Sequence, residues 1–185
     1  IPPFPGWKLI ESDFSQGENR LTAFFANDTD RLDRFYRDKD FSEHKHAASL
    51  FFKIPVEEVE KDNDKEAPYG KAKCIVHATN YGMGARKIAN TYDLEEKEVR
   101  EYLNIWKREI KKTIEWQLRC AKEAENVGYL VTPFSRKRWF YTTNIYTESL
   151  SFLPQSTLAD VIFRAMIGLM YERIGWPLEK ALQVS

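Results

Sequence analysis

Apolar residues between positions 18 and 114 mostly recur every three or four positions, the spacing that gathers them on one side of an α-helix. Residues 6–13 instead alternate apolar and polar after a Pro-rich lead, as a half-buried strand does. Helices are predicted from Glu18, with Leu21, Phe24 and Phe25 on one face, then over residues 30–37 and 43–52, the last closed by Pro55. The charge run at 57–66 reads as a solvated loop. Helical spacing resumes at 71–80, Gly82 and Gly84 interrupt it, and a short helix follows at 85–89. The longest helix is expected to start at Asp93, with Glu96 completing a capping box, and to stop at Gly128. Its inner positions are Val99, Leu103, Trp106, Ile110 and Ile114. Residues 129–141 hold two short strands around Pro133, a hairpin. A last helix is predicted over 155–174 with Leu158, Ile162, Ala165, Met166 and Leu169 inward, and Gly175-Trp-Pro177 ends it before a terminal strand. Mostly helix with strands at both ends makes the class α+β.

Composition narrows the picture. At 185 residues the chain holds one domain or slightly more, and 28 Lys+Arg balance 28 Asp+Glu. Zero net charge argues against a uniformly basic nucleic-acid tail and leaves room for a local basic cleft. Hydrophobic residues at 43% and charged residues at 30% are ordinary globular usage and fit disorder poorly. Two cysteines, Cys74 and Cys120, give no disulfide framework, so a reducing, cytoplasmic setting is expected. No apolar run reaches the roughly 20 residues of a membrane span, so no membrane partner is expected. The start lacks an initiator Met and the regions of a signal peptide, and both ends read as cut. A piece of a longer protein is therefore expected.

Asp13, at the end of the first strand, is a natural ligand for a hard cation such as Mg²⁺, and equally a turn or capping residue. Lys71, Lys73 and His77 read as one side of a helix that faces phosphates, with Arg86 and Lys87 beyond the glycines. The plain alternative is a set of exposed, solubilising lysines. A zinc site from His44, His46, Cys74 and His77 has acceptable ligand types and loose spacing.

The segment Glu11-Ser-Asp-Phe-Ser-Gln-Gly-Glu-Asn-Arg20 resembles the first polymerase motif of family A DNA polymerases, D-x-S-Q-x-E-x-R. Lys73-Cys-Ile-Val-His-Ala-Thr-Asn-Tyr-Gly-Met83 is similar to that family's second motif, and Glu43-His44 with residues 48–55 to the segment leading into it. Gly128-Tyr-Leu-Val-Thr-Pro-Phe-Ser-Arg-Lys-Arg138 and Phe152-Leu-Pro-Gln-Ser-Thr-Leu-Ala-Asp160 resemble two later stretches, the second in a phage-like version. Five motifs in order span nearly the whole chain.

The resemblance implies a fragment with mostly helical fingers and a partial antiparallel palm sheet. Residues 1–17 would carry a palm strand and metal motif, 18–127 the fingers with a nucleotide-binding helix over 69–83, and 128–185 a hairpin, a long helix and a returning palm strand. It implies template-directed DNA synthesis by two Mg²⁺ ions, with primer–template DNA and deoxynucleoside triphosphates as partners; the sequence specifies no processivity factor. Asp13 and the Phe14 carbonyl would bind metal. Asp13 and Lys73 would be catalytic, and Glu18, His44, Lys73, His77 and Tyr81 would meet the nucleotide. Arg136, Arg138 and Gln155 would meet DNA.

Each also has a plainer reading: Glu18 in a first helical turn, His44 in a loop or helix start, Gln155 as a cap, and the arginines as a charged hairpin tip. Tyr69 stands where the family has Arg, and Lys71 is expected to substitute; His77 stands where Phe or Tyr is usual. Ser185 falls where a third motif, with a second metal aspartate, is expected, so the isolated chain is expected not to polymerise. The competing reading is a non-catalytic nucleic-acid-binding module derived from a polymerase.

Overall fold

Short polar side chains start the early helices of the computed structural model, which describes residue 6 and residues 11–169. After α1 (Gly17–Phe25), Asp28 accepts a hydrogen bond from the Arg31 amide at the head of α2 (Thr29–Arg37). Ser42 accepts from the Lys45 amide at the head of α3 (Glu43–Phe52), the span predicted from the sequence. A 3₁₀ turn, Val56–Glu58, leads into the acidic loop, and Pro68 opens α4 (Pro68–Asn80) where its missing N–H costs nothing. Then come α5 (Ala85–Tyr92), α6 (Glu96–Glu109) and α7 (Lys111–Val127), which Gly128 stops at φ 81°. The expected hairpin is present: β1 (Tyr129–Val131) pairs antiparallel with β2 (Lys137–Trp139), Leu130 opposite Arg138. Last is α8 (Ile145–Gly168). The described residues are thus mainly helical with one two-stranded sheet, and none of their helices is long and apolar enough to cross a membrane.

Two hydrophobic cores organise these elements. One lies among α3, α4, α5 and α6 and is built from Ala48, Phe51, Ile75, Ile88, Leu103 and Trp106. The other joins α7, the hairpin and α8 through Trp116, Cys120, Ala124, Leu130, Leu150 and Phe152. Between them sits a bidentate ion pair from Arg31 on α2 to Glu43 on α3, at 2.8 and 2.9 Å, both residues buried. Arg31 also donates to Thr113 on α7 at 2.5 Å, so the pair ties one core to the other.

Several sequence expectations need correction. The long helix from Asp93 is two helices: Glu95 caps α6, Asp93 ends α5 in the left-handed region, and the backbone turns at Ile110. The reason is packing. Ile110 is buried in the first core while Trp116 and Cys120 face the second. The last helix starts at Ile145, ten residues before the predicted start, and holds Pro154 inside it. Its buried side chains are Leu150, Phe152 and Leu153, whereas Ile162, Met166 and Leu169, expected inward, are exposed. On α1 the buried face holds Asn19, Thr22 and Ala23, and Phe24 points to solvent. Residues 11–14 form no regular strand. The remainder of the first predicted strand, the end of the last helix, Gly175-Trp-Pro177 and the terminal strand lie outside the described residues.

Candidate functional site

The C-terminus of α4 is where the two cores meet. Its last carbonyls are closed by a Schellman turn, with the Met83 amide donating to Ala78 O at 3.1 Å and the Gly82 amide to Thr79 O at 2.9 Å. Gly82 has φ 66°, and a Cβ there would meet the Tyr146 ring at 2.4 Å, so this position admits only glycine without rearrangement. Gln117 of α7, fully buried, donates to Thr79 O at 2.7 Å, and Asn80 donates to Asn19 of α1 at 2.7 Å. Tyr81 follows directly. Its hydroxyl donates to Glu18 at 2.7 Å and accepts from the Gln155 amide at 2.8 Å. Burial, and then the bond to Glu18, push the Tyr81 hydroxyl pKa up, so it stays a donor.

One turn up α4, His77 packs edge-on to Tyr81 with ring centres 5.0 Å apart. Asp13, Phe14, Glu18, His44 and His77 line one recess of about 260 Å³. His44, Lys73 and His77 line a second of about 350 Å³, and His44 and Lys73 a third of about 340 Å³. His44 borders all three, so they are adjoining recesses between α4, the head of α3 and the loop before α1, together termed the cleft. Burial, helped by the charges of Lys73 and His77, pushes His44 down to about 4, so it is neutral at pH 7. The Lys73 ammonium donates to Asn63 Oδ1 at 2.8 Å.

Of the residues predicted from sequence, Asp13, Phe14, Glu18, His44, Lys73, His77, Tyr81 and Gln155 gather here, directly or through Tyr81. Gln155 lies in the middle of α8, so it is no helix cap. Arg136, in the hairpin turn, and Arg138, on β2, are ion-paired with Asp160 and Glu148 of α8. Lys71 does not join Lys73: two residues are more than half a helical turn apart, and Lys71 is buried against Glu98 at 2.8 Å. It is therefore not placed to replace the family's arginine. The zinc reading fails on direction. His44 faces Tyr69, while His46 lies 2.9 Å from Glu109 and from Arg34 on the other side of α3. Arg86 and Lys87 line a separate open recess with Arg100.

Three supporting residues lie outside the predicted set, although Gln16 occupies the Gln position of the D-x-S-Q-x-E-x-R stretch. Gln16, at φ 54°, donates to Phe41 O at 2.6 Å and accepts from the Glu43 amide at 2.8 Å, fixing the Asp13 loop to the head of α3. Gln117 reaches α4 across 38 positions of sequence, and Asn63 reaches Lys73 across ten. Among the described residues no three His, Cys, Asp or Glu side chains cluster to hold a metal, and Asp13 makes no ion pair. Asp13 is a carboxylate at the edge of the recess it shares with His44 and His77, the ligand type by which a hard cation is held together with phosphates.

The sequence profile of DNA polymerase family A matches residues 1–181. The chain is 29% identical to DNA polymerase I of Pseudomonas aeruginosa over 175 residues, 89% of this chain and 18% of that protein. It is 26% identical to the thermostable DNA polymerase I of Thermus thermophilus over 173 residues, 89% of this chain and 20% of the relative. The chain thus spans about a fifth of the length of these relatives. In three dimensions it is similar to the POL domain of Pol1 from M. smegmatis, solved in complex with DNA primer–template and dNTP. That match has a TM-score of 0.72 at 20% identity and covers 88% of this chain and 30% of the other.

Proposed function

The chain belongs to DNA polymerase family A, and on that premise we propose that the whole protein carries out template-directed DNA synthesis, with these residues forming its fingers and part of its palm. One observation carries the reading: residues far apart in sequence, Asp13, Glu18, His44, Lys73 and His77, line adjoining recesses that share His44 and His77, and Tyr81 joins them through its bond to Glu18. A deoxynucleoside triphosphate would lie along α4. Lys73 would meet its phosphates as a point charge, and neutral His44 would offer them a hydrogen bond. His77 and Tyr81 would supply flat surfaces to the base and sugar, which suits selection by shape among four pairs. Glu18, held in place by Tyr81, would close the space a ribose 2′-hydroxyl needs.

Asp13 and the Phe14 carbonyl would hold Mg²⁺, which supplies charge stabilisation to the attacking and leaving oxygens when bound. Residues 1–17 would belong to the palm, 18–127 to the fingers, and 128–185 to the hairpin, long helix and return strand. Primer–template DNA would pass Gln155 and the hairpin. Arg136 and Arg138 would exchange their carboxylate partners for backbone phosphates, contacts that position DNA without reading it.

Primer extension by the full polypeptide tests the reading. Asp13→Asn should abolish extension, and Lys73→Ala should reduce incorporation by about 10²- to 10³-fold, the scale of one lost electrostatic donor. DNA binding without extension in the unaltered polypeptide would instead establish a non-catalytic nucleic-acid-binding module.

A further inference from the structure

The charge run at 57–66 is solvent-exposed apart from Val59, as a solvated loop is, and it also forms a strap that lies on α4 beside the nucleotide cleft. Its start is anchored by Val59, fully buried in the first core, and its end by Pro68 at the first turn of α4. Inside it, Asp62 and Asp64 brace their own backbone: Asp62 accepts from the Asp64 amide at 2.9 Å and Asp64 from the Glu66 amide at 3.0 Å. The strap lies directly on α4. A Cβ at Gly70 would stand 2.0 Å from Asp64 O, so only the bare backbone of glycine lets the two meet. Between the braces, Asn63 turns its side-chain oxygen to the Lys73 ammonium at 2.8 Å and lines the same cleft.

We propose that Asn63 is a parking partner for Lys73: it holds the ammonium when the cleft is empty and must surrender it when a triphosphate enters. The inference rests on the reading of Lys73 as a phosphate contact. A neutral carbonyl oxygen is a weak competitor for a cation, and a phosphate oxygen bearing charge displaces it. The surrounding charge has the opposite effect. Residues 57–66 carry six carboxylates against two lysines, so the strap repels a bare triphosphate at the cleft mouth. Asparagine at the contact point keeps the lysine in place without locking it into an ion pair. The nucleotide KM is therefore set partly by a residue that need not touch the nucleotide.

Steady-state and single-turnover nucleotide incorporation by the full polypeptide would test this with Asn63→Ala, Asn63→Asp and Lys73→Ala. Removing the parking oxygen with Asn63→Ala should lower the nucleotide KM about threefold, and Asn63→Asp should raise it about tenfold. Both effects should fall on KM and leave the single-turnover rate at saturation within about twofold. A structural role for Asn63 would shift both variants the same way. If Lys73→Ala raises KM while the two Asn63 variants leave it unchanged or shift it together, the parking role is overturned. If Lys73→Ala does not affect nucleotide binding, the reading of Lys73 falls, and the inference falls with it.

Discussion

The two cores bring their elements together in different ways. In the lobe of α3 to α6, small side chains, Ala47, Ala48, Ala72 and Ala78, let α3 and α4 approach closely, and the rings of Phe51, Tyr102 and Trp106 fill the space toward α6. The lobe of α7, the hairpin and α8 is closed by aromatic rings, with Trp116 stacked on Phe25 at 5.8 Å and Phe140 edge-on to Phe152 at 6.2 Å. The first lobe presents the cations and imidazoles of the cleft, His44, Lys73 and His77. The second presents neutral amides, Gln117 and Gln155, that grip the end of α4. A charge-bearing face stands on one lobe and an uncharged clamp on the other. Electrostatics and anchoring are therefore separable by mutation.

The link between the lobes should break first at the buried ion pair. Arg31→Met leaves Glu43 buried without its partner and should cost about 3–5 kcal/mol, read as a lowered urea midpoint. Unchanged stability would show that water reaches Glu43. Next, Gly82→Ala forces a Cβ against Tyr146 and Leu150 at a positive φ, for about 3 kcal/mol. It should also slow incorporation, because α4 ends there; loss of stability with full activity would contradict this.

Acid should separate the cleft from the α2–α3–α6 contact. His44 has its folded pKa lowered to about 4, so its contribution is present above pH 6.5 and is lost as pH falls toward 4. Glu109 is held at about 2 by His46 and then Arg34, so its contribution is present above 4.5 and lost only as pH falls toward 2. Each window is worth about 2 kcal/mol. Denaturation across pH should show both, and His44→Gln should erase the upper one alone. The smallest change is His77→Phe, which keeps a flat ring beside Tyr81 and should alter the single-turnover incorporation rate several-fold; an unchanged rate would show that the ring's nitrogens are idle.

Much of the site is legible from residue types and order, since Asp13, Glu18, Lys73, His77 and Tyr81 stand in short motifs. Lys71 shows the limit. Its neighbour Lys73 faces the cleft, and only the packing of α4 against α6 reveals that Lys71 belongs to Glu98. Asn63 shows the same limit from the other side, because a loop dense in charge carries no local mark of what it lies against. The first ten residues of α8 differ again: they end on Pro154, a residue type that breaks most helices, and the helix continues through it where neighbouring elements bury the segment.

Periodicity, caps and turn residues determined α2, α3, α4 and the hairpin, because these are local consequences of side-chain spacing and backbone preference. Which face of α1 is buried, where the 93–127 segment breaks, and which half of α8 is covered were decided only by tertiary structure. Helical spacing brings apolar residues to a common side, but burial requires a partner surface. That surface is supplied by residues remote in sequence, and Ile110 and Trp116 turn to different cores for that reason.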